Sequence, residues 1–321
     1  MFYNSLEEIV RECQEKDLPF DEVILLDDMN ERNVSREESI ETMRGMWEAM
    51  KGAERNYDGS LQSRSGLVGG AGKTMRAYVE SGNTLCGPFV GKVMASALAM
   101  GESNACMKRI VAAPTAGACG VLPAVLVNYQ KEKGTADEQI VRALYTAAGI
   151  GQVVAARAYI AGASGGCQAE IGTASAMAAG ALTALGGGTP SQITHAAAMA
   201  LKNLLGLVCD PVGGLVEVPC VKRNVIGSVN ALSAADMALA GIISRIPPDQ
   251  VIDAMREVGD QMHPSLRETG QGGLANTPAD HVYEETRKHY KQKTPRLNET
   301  AQGVSANTPA TRQWCAAQQE E

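Results

Sequence analysis

From Ile171 to Leu201 the chain carries no Asp, Glu, Lys or Arg, and most of the stretch is Ala, Gly, Met and Leu. A second uncharged stretch runs from Ile110 to Gln130. A membrane-spanning helix takes about 18–20 consecutive apolar residues, so both stretches come near that length. Pro114 and Pro123 interrupt the first, however, and Gly186-Gly187-Gly188-Thr189-Pro190 cuts the second. Both are read as protein interior, with no membrane partner. The material for that interior is unusual, because hydrophobic residues make up 45% of the 321 residues and aromatic residues only 4%. Small side chains let helix backbones approach closely, whereas sandwiches and barrels draw on aromatic and β-branched strands. No series of alternating strands is found. The expected fold class is all-α or mostly α, with closely packed buried helices joined by Gly-rich loops.

Helix starts are written locally. Ser5 to Glu8, Ser35 to Glu38 and Thr135 to Glu138 each have the capping-box form, a hydroxyl and a Glu three residues on that satisfy each other's free amides. They predict helices near 6–16, near 36–56 and from Ala136 to about Ala161. Thr189-Pro190 predicts another, reaching about Leu205 before Gly206, and Pro247-Pro248 opens one with Val251, Ile252, Met255 and Val258 at helical spacing. By composition the chain divides into amphipathic N-terminal helices (1–57), a largely apolar body (58–279) that opens on a Gly- and Ser-rich segment, and a polar tail (280–321). The segment Glu268 to Ala279 recurs imperfectly as Glu299 to Ala310. Two copies fall short of the roughly three repeats a solenoid needs, which leaves a local duplication.

The formal net charge of -7 and the lack of any Lys/Arg run beyond two neighbours argue against a nucleic-acid partner. The N-terminus carries acids where a secretory signal has a basic start, so a cytoplasmic location is expected. There, eight cysteines are not expected to form a disulfide framework. Cys13, Cys86, Cys106 and Cys119 lie among helical, small or apolar residues and read as buried inert thiols. Cys167, Cys209 and Cys220 sit in turn-forming contexts instead: Gly165-Gly166-Cys167, Cys209-Asp210-Pro211 and Pro219-Cys220 before Lys222-Arg223. Lys222 and Arg223 are expected to favour the thiolate of Cys220. The paired spacing of zinc ligands is missing, and three dispersed cysteines suit an iron–sulfur cluster with one iron lacking a protein ligand. From spacing alone, structural cysteines remain the competing reading.

The loop Ser63 to Thr74 ends like a phosphate-binding loop, but the pattern requires Gly where Leu67 stands, and no strand precedes it. No nucleotide cofactor is expected. The alternatives are a loop whose amides bind a small carboxylate with Arg64, or a plain turn. A pyridoxal phosphate site could be proposed only around Lys73, with nothing else in support, so none is expected. Among the histidines, His195 reads as a satisfied core residue and His281 and His289 as surface residues. His263, in a polar Gly-rich segment after a helix, is the candidate for an active site.

Five stretches resemble the alpha chain of the bacterial iron–sulfur L-serine dehydratase: SRSGLVGG at 63–70, APTAGACGVLPAVL at 113–126, GASGGCQAEIG at 162–172, LGLVCDPVGGLVEVPCVKRN at 205–224 and MHPSLRETGQGGLA at 262–275. They stand in the family's order, and the separations of Cys167, Cys209 and Cys220 are those of its three cluster ligands. The resemblance marks 58–279 as the catalytic, cluster-binding domain and implies a 4Fe–4S cluster on these cysteines, with the fourth iron open to substrate. It implies an ammonia-lyase that converts L-serine to pyruvate and ammonia. Candidates for holding the substrate carboxylate are Ser63, Arg64, Ser65 and Arg267. Lys222 and Arg223 are candidates to offset cluster charge, and His263 is a candidate base. Single-chain relatives carry a second domain that this chain has no room for, so a separate beta chain is expected as partner and as a possible source of the base. Some relatives end in a cysteine that reaches the open iron; Cys315 reads instead as a free thiol of the tail. The competing functions are a cysteine desulfidase-type lyase with the same cluster and a non-catalytic iron–sulfur sensor or scaffold.

Overall fold

The computed structural model describes residues 3–280 and residue 283. Among these residues there are helices and no strands. In chain order they are α1 (Leu6–Lys16), α2 (Phe20–Arg32), α3 (Arg36–Arg55), α4 (Ala71–Glu80), α5 (Gly87–Ala105), α6 (Val121–Lys133), α7 (Asp137–Arg157), the single turn α8 (Gly162–Gly165), α9 (Cys167–Leu185), α10 (Pro190–Lys202), α11 (Cys220–Leu239) and α12 (Pro248–Gln261). Short 3-10 turns lie at Val212–Gly214, Pro264–Leu266 and Gly273–Asn276. The fold is all-α.

The uncharged stretches are the interior. Residues 171–201 form most of α9, a glycine turn and α10, and α9 packs against α6, α7, α10, α11 and α12. Glycines make this closeness possible. A Cβ on Gly180 of α9 would lie 2.1 Å from Cδ1 of Ile150 on α7, and one on Gly227 of α11 would lie 2.9 Å from Cγ2 of Ile171. Helices that meet at such points leave no space for large rings, which is why the core is built from Ala, Gly, Met and Ile. No helix among the described residues is long and apolar enough to cross a membrane.

The N-terminal helices follow their sequence signals. Ser5 accepts the Glu8 N–H at the start of α1, and Ser35 and Glu38 form the expected reciprocal box at α3. Thr189 caps α10 with Gln192 as its partner. At α7 the structure differs. The cap is Ala136, in extended backbone, and the Gln139 side chain accepts its N–H, so Thr135 is not the cap. That helix stops at Arg157 because Ala158 leaves helical backbone (φ -139°, ψ -140°), short of Ala161. Helix α10 likewise ends at Lys202, before Leu205. Helix α2, which has no side-chain cap behind Pro19, and α4, within the Gly- and Ser-rich segment, were not marked by any sequence signal. His195 is a half-buried residue of α10, but its Nδ1 is buried without a hydrogen-bond partner, so the core histidine is not a satisfied one. Burial, with Lys202 nearby, lowers its pKa.

Candidate functional site

Cys167 is the first residue of α9, Cys220 is the first residue of α11, and Cys209 lies in the connection after α10. All three are free thiols and are buried, at 1%, 5% and 3% exposure respectively. Neither helix has a side-chain cap in front of its cysteine, only Gly166 and Pro219. Backbone carbonyls take first amides instead, Leu207 that of Gln168 at 2.9 Å and Glu217 that of Val221 at 3.0 Å, and the dipole of each helix still favours negative charge at this end.

Long-range hydrogen bonds hold the three segments together. Gln168, beside Cys167, accepts the Gly206 N–H at 2.9 Å and donates to the Met255 carbonyl at 3.0 Å. Cys209 forms an isolated parallel bridge with Arg267: its N–H donates to the Leu266 carbonyl at 2.8 Å, and its carbonyl accepts the Glu268 N–H at 2.7 Å. Asn224 donates to the Gly117 carbonyl and accepts the Gly120 N–H, both at 2.8 Å, tying the 113–120 loop to α11.

Arg223 is the central cation. Its guanidinium donates to Asp210 at 2.8 Å and to the Val208 carbonyl at 2.7 Å, and lies 3.3 Å from the Cys167 sulfur. Its direct contact is therefore with Cys167, while Cys220 feels its charge without a hydrogen bond to it. Lys222 is exposed. The Cys167 thiol is lowered, chiefly by a hydrogen bond with Cys209 and further by Arg223. Cys209 is raised, first by that same hydrogen bond and then by burial. Burial also raises Cys220, with the negative charges of Cys167 and Glu170 adding to it. The expectation of a favoured Cys220 thiolate is thus corrected: burial outweighs the neighbouring cations. Glu170, one turn beyond Cys167, is lifted to about 6 by burial, against the opposing hydrogen bond from Thr115.

Among the described residues no three His, Cys, Asp or Glu side chains gather as a single metal ion would require. The donor set fits a polynuclear iron–sulfur group better, since each thiolate there binds its own iron. Room is kept beside one donor, where a Cβ on Gly162 would lie 2.8 Å from the Cys209 sulfur.

Ser63 and Ser65 both donate to one carboxylate oxygen of Glu217, the former at 2.9 Å. Their hydroxyl protons are therefore committed to an acid just before Cys220. Arg64 between them is exposed and makes no hydrogen bond or ion pair with any described residue. Arg267 is half-buried beside Cys209 and reaches the Ser164 carbonyl at 3.5 Å. His263 is exposed, and its Nδ1 accepts the Ser265 N–H at 3.2 Å. A neutral ring with Nδ1 as acceptor carries its proton on Nε2, the nitrogen that these contacts leave free. Glu102 occupies the place an anion would take at the loop that resembles a phosphate cradle, accepting the Ala71 N–H at 2.7 Å and the Gly72 N–H at 3.1 Å.

Cys13 and Cys119 are buried, and burial pushes them up to about 11 and about 12. Cys106 is half-buried, and Cys86 is exposed rather than buried. Cys315, His281, His289 and the second copy of the duplicated segment lie outside the described residues. The sequence reading did not single out Gln168, Glu170, Asp210, Glu217 or Asn224. Glu170 left a trace, as the acid next to an otherwise uncharged stretch, and Glu217 left a weaker one, as the acid between Leu215-Val216 and Val218-Pro219.

Residues 12–275 match the family described as serine dehydratase alpha chain. The chain is 46% identical to a probable L-serine dehydratase, alpha chain, of Bacillus subtilis over 275 residues, covering 86% of this chain and 92% of that protein. It is 42% identical to the L-serine dehydratase, alpha chain, of Peptoniphilus asaccharolyticus, covering 85% of this chain and 94% of the relative. Against L-serine dehydratase 2 of Escherichia coli the identity is 38%, over 85% of this chain but only 61% of the longer relative.

Proposed function

The chain belongs to the serine dehydratase alpha-chain family, and on that premise we propose that it is the alpha subunit of an L-serine ammonia-lyase whose Cys167, Cys209 and Cys220 hold a 4Fe–4S cluster. The observation that carries the reading is the convergence of these three buried thiols from three separate segments, two at helix N-termini without side-chain caps and one 3.3 Å from the Arg223 guanidinium. A structural role gains nothing from three free thiols in mutual electrostatic contact. When bound, a cluster with one iron free of protein ligands supplies a Lewis acid that makes hydroxide a feasible leaving group.

The chain's own residues do the rest. Arg64 and Arg267 are cations at the two loops flanking the cysteines and bind the substrate carboxylate. His263, through its Nε2–H, donates to substrate and does not take the α-proton. The base then comes from a separate beta chain, which the alpha-chain names of the relatives and the greater length of the Escherichia coli protein support. Loss of the α-proton and the β-hydroxyl converts L-serine to 2-aminoacrylate and water. Tautomerisation and hydrolysis give pyruvate and ammonia without net redox change.

The test is an anaerobic iron and sulfide determination with a visible absorption spectrum, on the wild type and on Cys209→Ser. About four irons and four sulfides per chain are expected in the wild type, with loss in the variant. A folded, reconstituted wild type without iron returns the three cysteines to a structural role. Air is expected to abolish serine turnover by the alpha–beta complex, and anaerobic iron and sulfide to restore it; full activity after prolonged aerobic handling counts against an open iron.

A further inference from the structure

Glu217 is a carboxylate at 7% exposure for which the proposed chemistry has so far no use. It lies between the 3-10 turn Val212–Gly214 and α11, and its carbonyl accepts the Val221 N–H at 3.0 Å, which fixes it to the first turn of the Cys220 helix. One oxygen, Oε2, accepts from both Ser63 and Ser65. The serines are fixed in turn, since the Ser65 oxygen accepts the Leu67 N–H at 3.0 Å and the two hydroxyl oxygens are 3.0 Å apart. The other oxygen, Oε1, accepts no hydrogen bond from any described residue, yet it is not among the buried polar atoms that lack a partner. It therefore opens to solvent.

No Lys, Arg or His among the described residues forms an ion pair with Glu217. A carboxylate this buried ordinarily has a cation beside it, because removal from water costs several kcal/mol that two hydroxyl donors only partly offset. Oε1 is thus a fixed negative acceptor with its cation missing. Between these two serines in the sequence stands Arg64, an exposed cation that forms no ion pair among the described residues. A carboxylate and a guanidinium, each unpartnered and tied to one loop, match the two charges of a free α-amino acid.

We propose that Glu217 Oε1 receives the α-ammonium group of the substrate while Arg64 takes its α-carboxylate. This rests on the ammonia-lyase reading and deepens it. Ser63 and Ser65 then serve as positioning residues that aim Glu217, and do not bind the carboxylate themselves. The site accepts free zwitterionic amino acids and discriminates against hydroxy acids that lack the ammonium group and against peptides whose amine is acylated.

The experiment uses the reconstituted alpha–beta complex, with L-serine as substrate, L-alanine as an unreactive zwitterion and 3-hydroxypropanoate as a probe without the ammonium group. E217Q keeps an acceptor for the serines but removes the charge. It is expected to raise KM for L-serine and Kd for L-alanine roughly 10- to 100-fold, with a smaller change in kcat. Binding of 3-hydroxypropanoate is expected to stay within about threefold or to tighten, as the loss of a repelling charge dictates. R64M is expected to weaken all three ligands. Unchanged L-serine and L-alanine binding in E217Q overturns the proposal, and so does an equal loss for L-alanine and 3-hydroxypropanoate, which marks a purely structural clasp. A wild-type complex that binds L-alanine but does not turn over L-serine overturns the ammonia-lyase reading alone, and calorimetry on E217Q still decides the ammonium site.

Discussion

Helices α1 and α3 open on the side-chain caps Ser5 and Ser35, and they meet the body through Leu6 and Trp47, both at 1% exposure or less. The segments around Cys167 and Cys220 open on Gly166 and Pro219 with no side-chain cap, and their own Gln168, Arg223 and Asn224 tie them to Met255, Asp210 and Gly117 elsewhere in the chain. In the N-terminal region side chains take the first amides of α1 and α3, with Asp249 of α12 accepting the Leu6 and Glu7 N–H groups beside the Ser5 cap, and little is left over for a ligand. In the cysteine region backbone carbonyls rather than side-chain caps take the first amides, and stability comes from buried polar ties that also fix where the sulfurs sit. The two regions therefore differ in what a mutation should do. Damage to the first costs stability alone, whereas damage to the second costs stability and the site together.

The largest effect is expected at Arg223. Its pair with Asp210 is almost closed to water, with side-chain exposures of 10% and 5%. Arg223→Met leaves that carboxylate buried and unpaired, a change that costs about 3–5 kcal/mol, read as a fall in the urea midpoint, and iron content per folded chain should fall with it. The double variant Arg223→Met with Asp210→Leu should recover much of the stability but not the iron. If the single variant is as stable as wild type, or keeps its iron, the cysteine region is not held in the manner described. Trp47→Phe probes the other region. The indole Nε1 donates to Asp137 at 2.7 Å, and its loss should cost roughly 1–3 kcal/mol. Iron content per folded chain should not change, and a fall would erase the distinction between the regions.

The same contrast explains what was legible in the sequence. Ser5, Ser35 and Thr189 announce their helices because a cap and its partner lie three residues apart, within reach of local pattern reading. Thr135 misled because it stands one residue before the true cap, and Ala136 has no side-chain oxygen to reveal itself. The all-α packing was legible from the scarcity of aromatics, since close glycine contacts such as Gly180 on Ile150 leave a mark on composition. The three cysteines stood out through their turn contexts and through the resemblance. Their neighbours did not. Arg223 reaches back past Cys209 to Cys167, and Ser63 finds its partner Glu217 at a distance of 154 residues along the chain, pairings made only by the packing of α5, α9 and α11.

The smallest effect sharpens the comparison from the side of pH. Asp137, at the start of α7, is held at about 2 by hydrogen bonds from Lys51, Gln130 and Trp47, the first of these from α3. Its ordinary value is 3.8, so in the folded chain it stays ionised where the unfolded chain has begun to take up a proton. A depressed folded pKa contributes stability that is fully present above the unfolded value and is lost as pH falls from about 4 through about 2. The side chain is 37% exposed, so solvent screening keeps this contribution modest. Urea midpoints of wild type and Asp137→Asn, measured between pH 6 and pH 2, should differ most at the upper end and converge toward the lower. Trp47→Phe removes one of the three donors and should narrow that difference without abolishing it. A gap between wild type and Asp137→Asn that stays constant down to pH 2 would mean that the carboxylate's charge is not what joins α3 to α7, and that this junction rests on the packing of Trp47 and the buried Ser39–Tyr145 hydrogen bond.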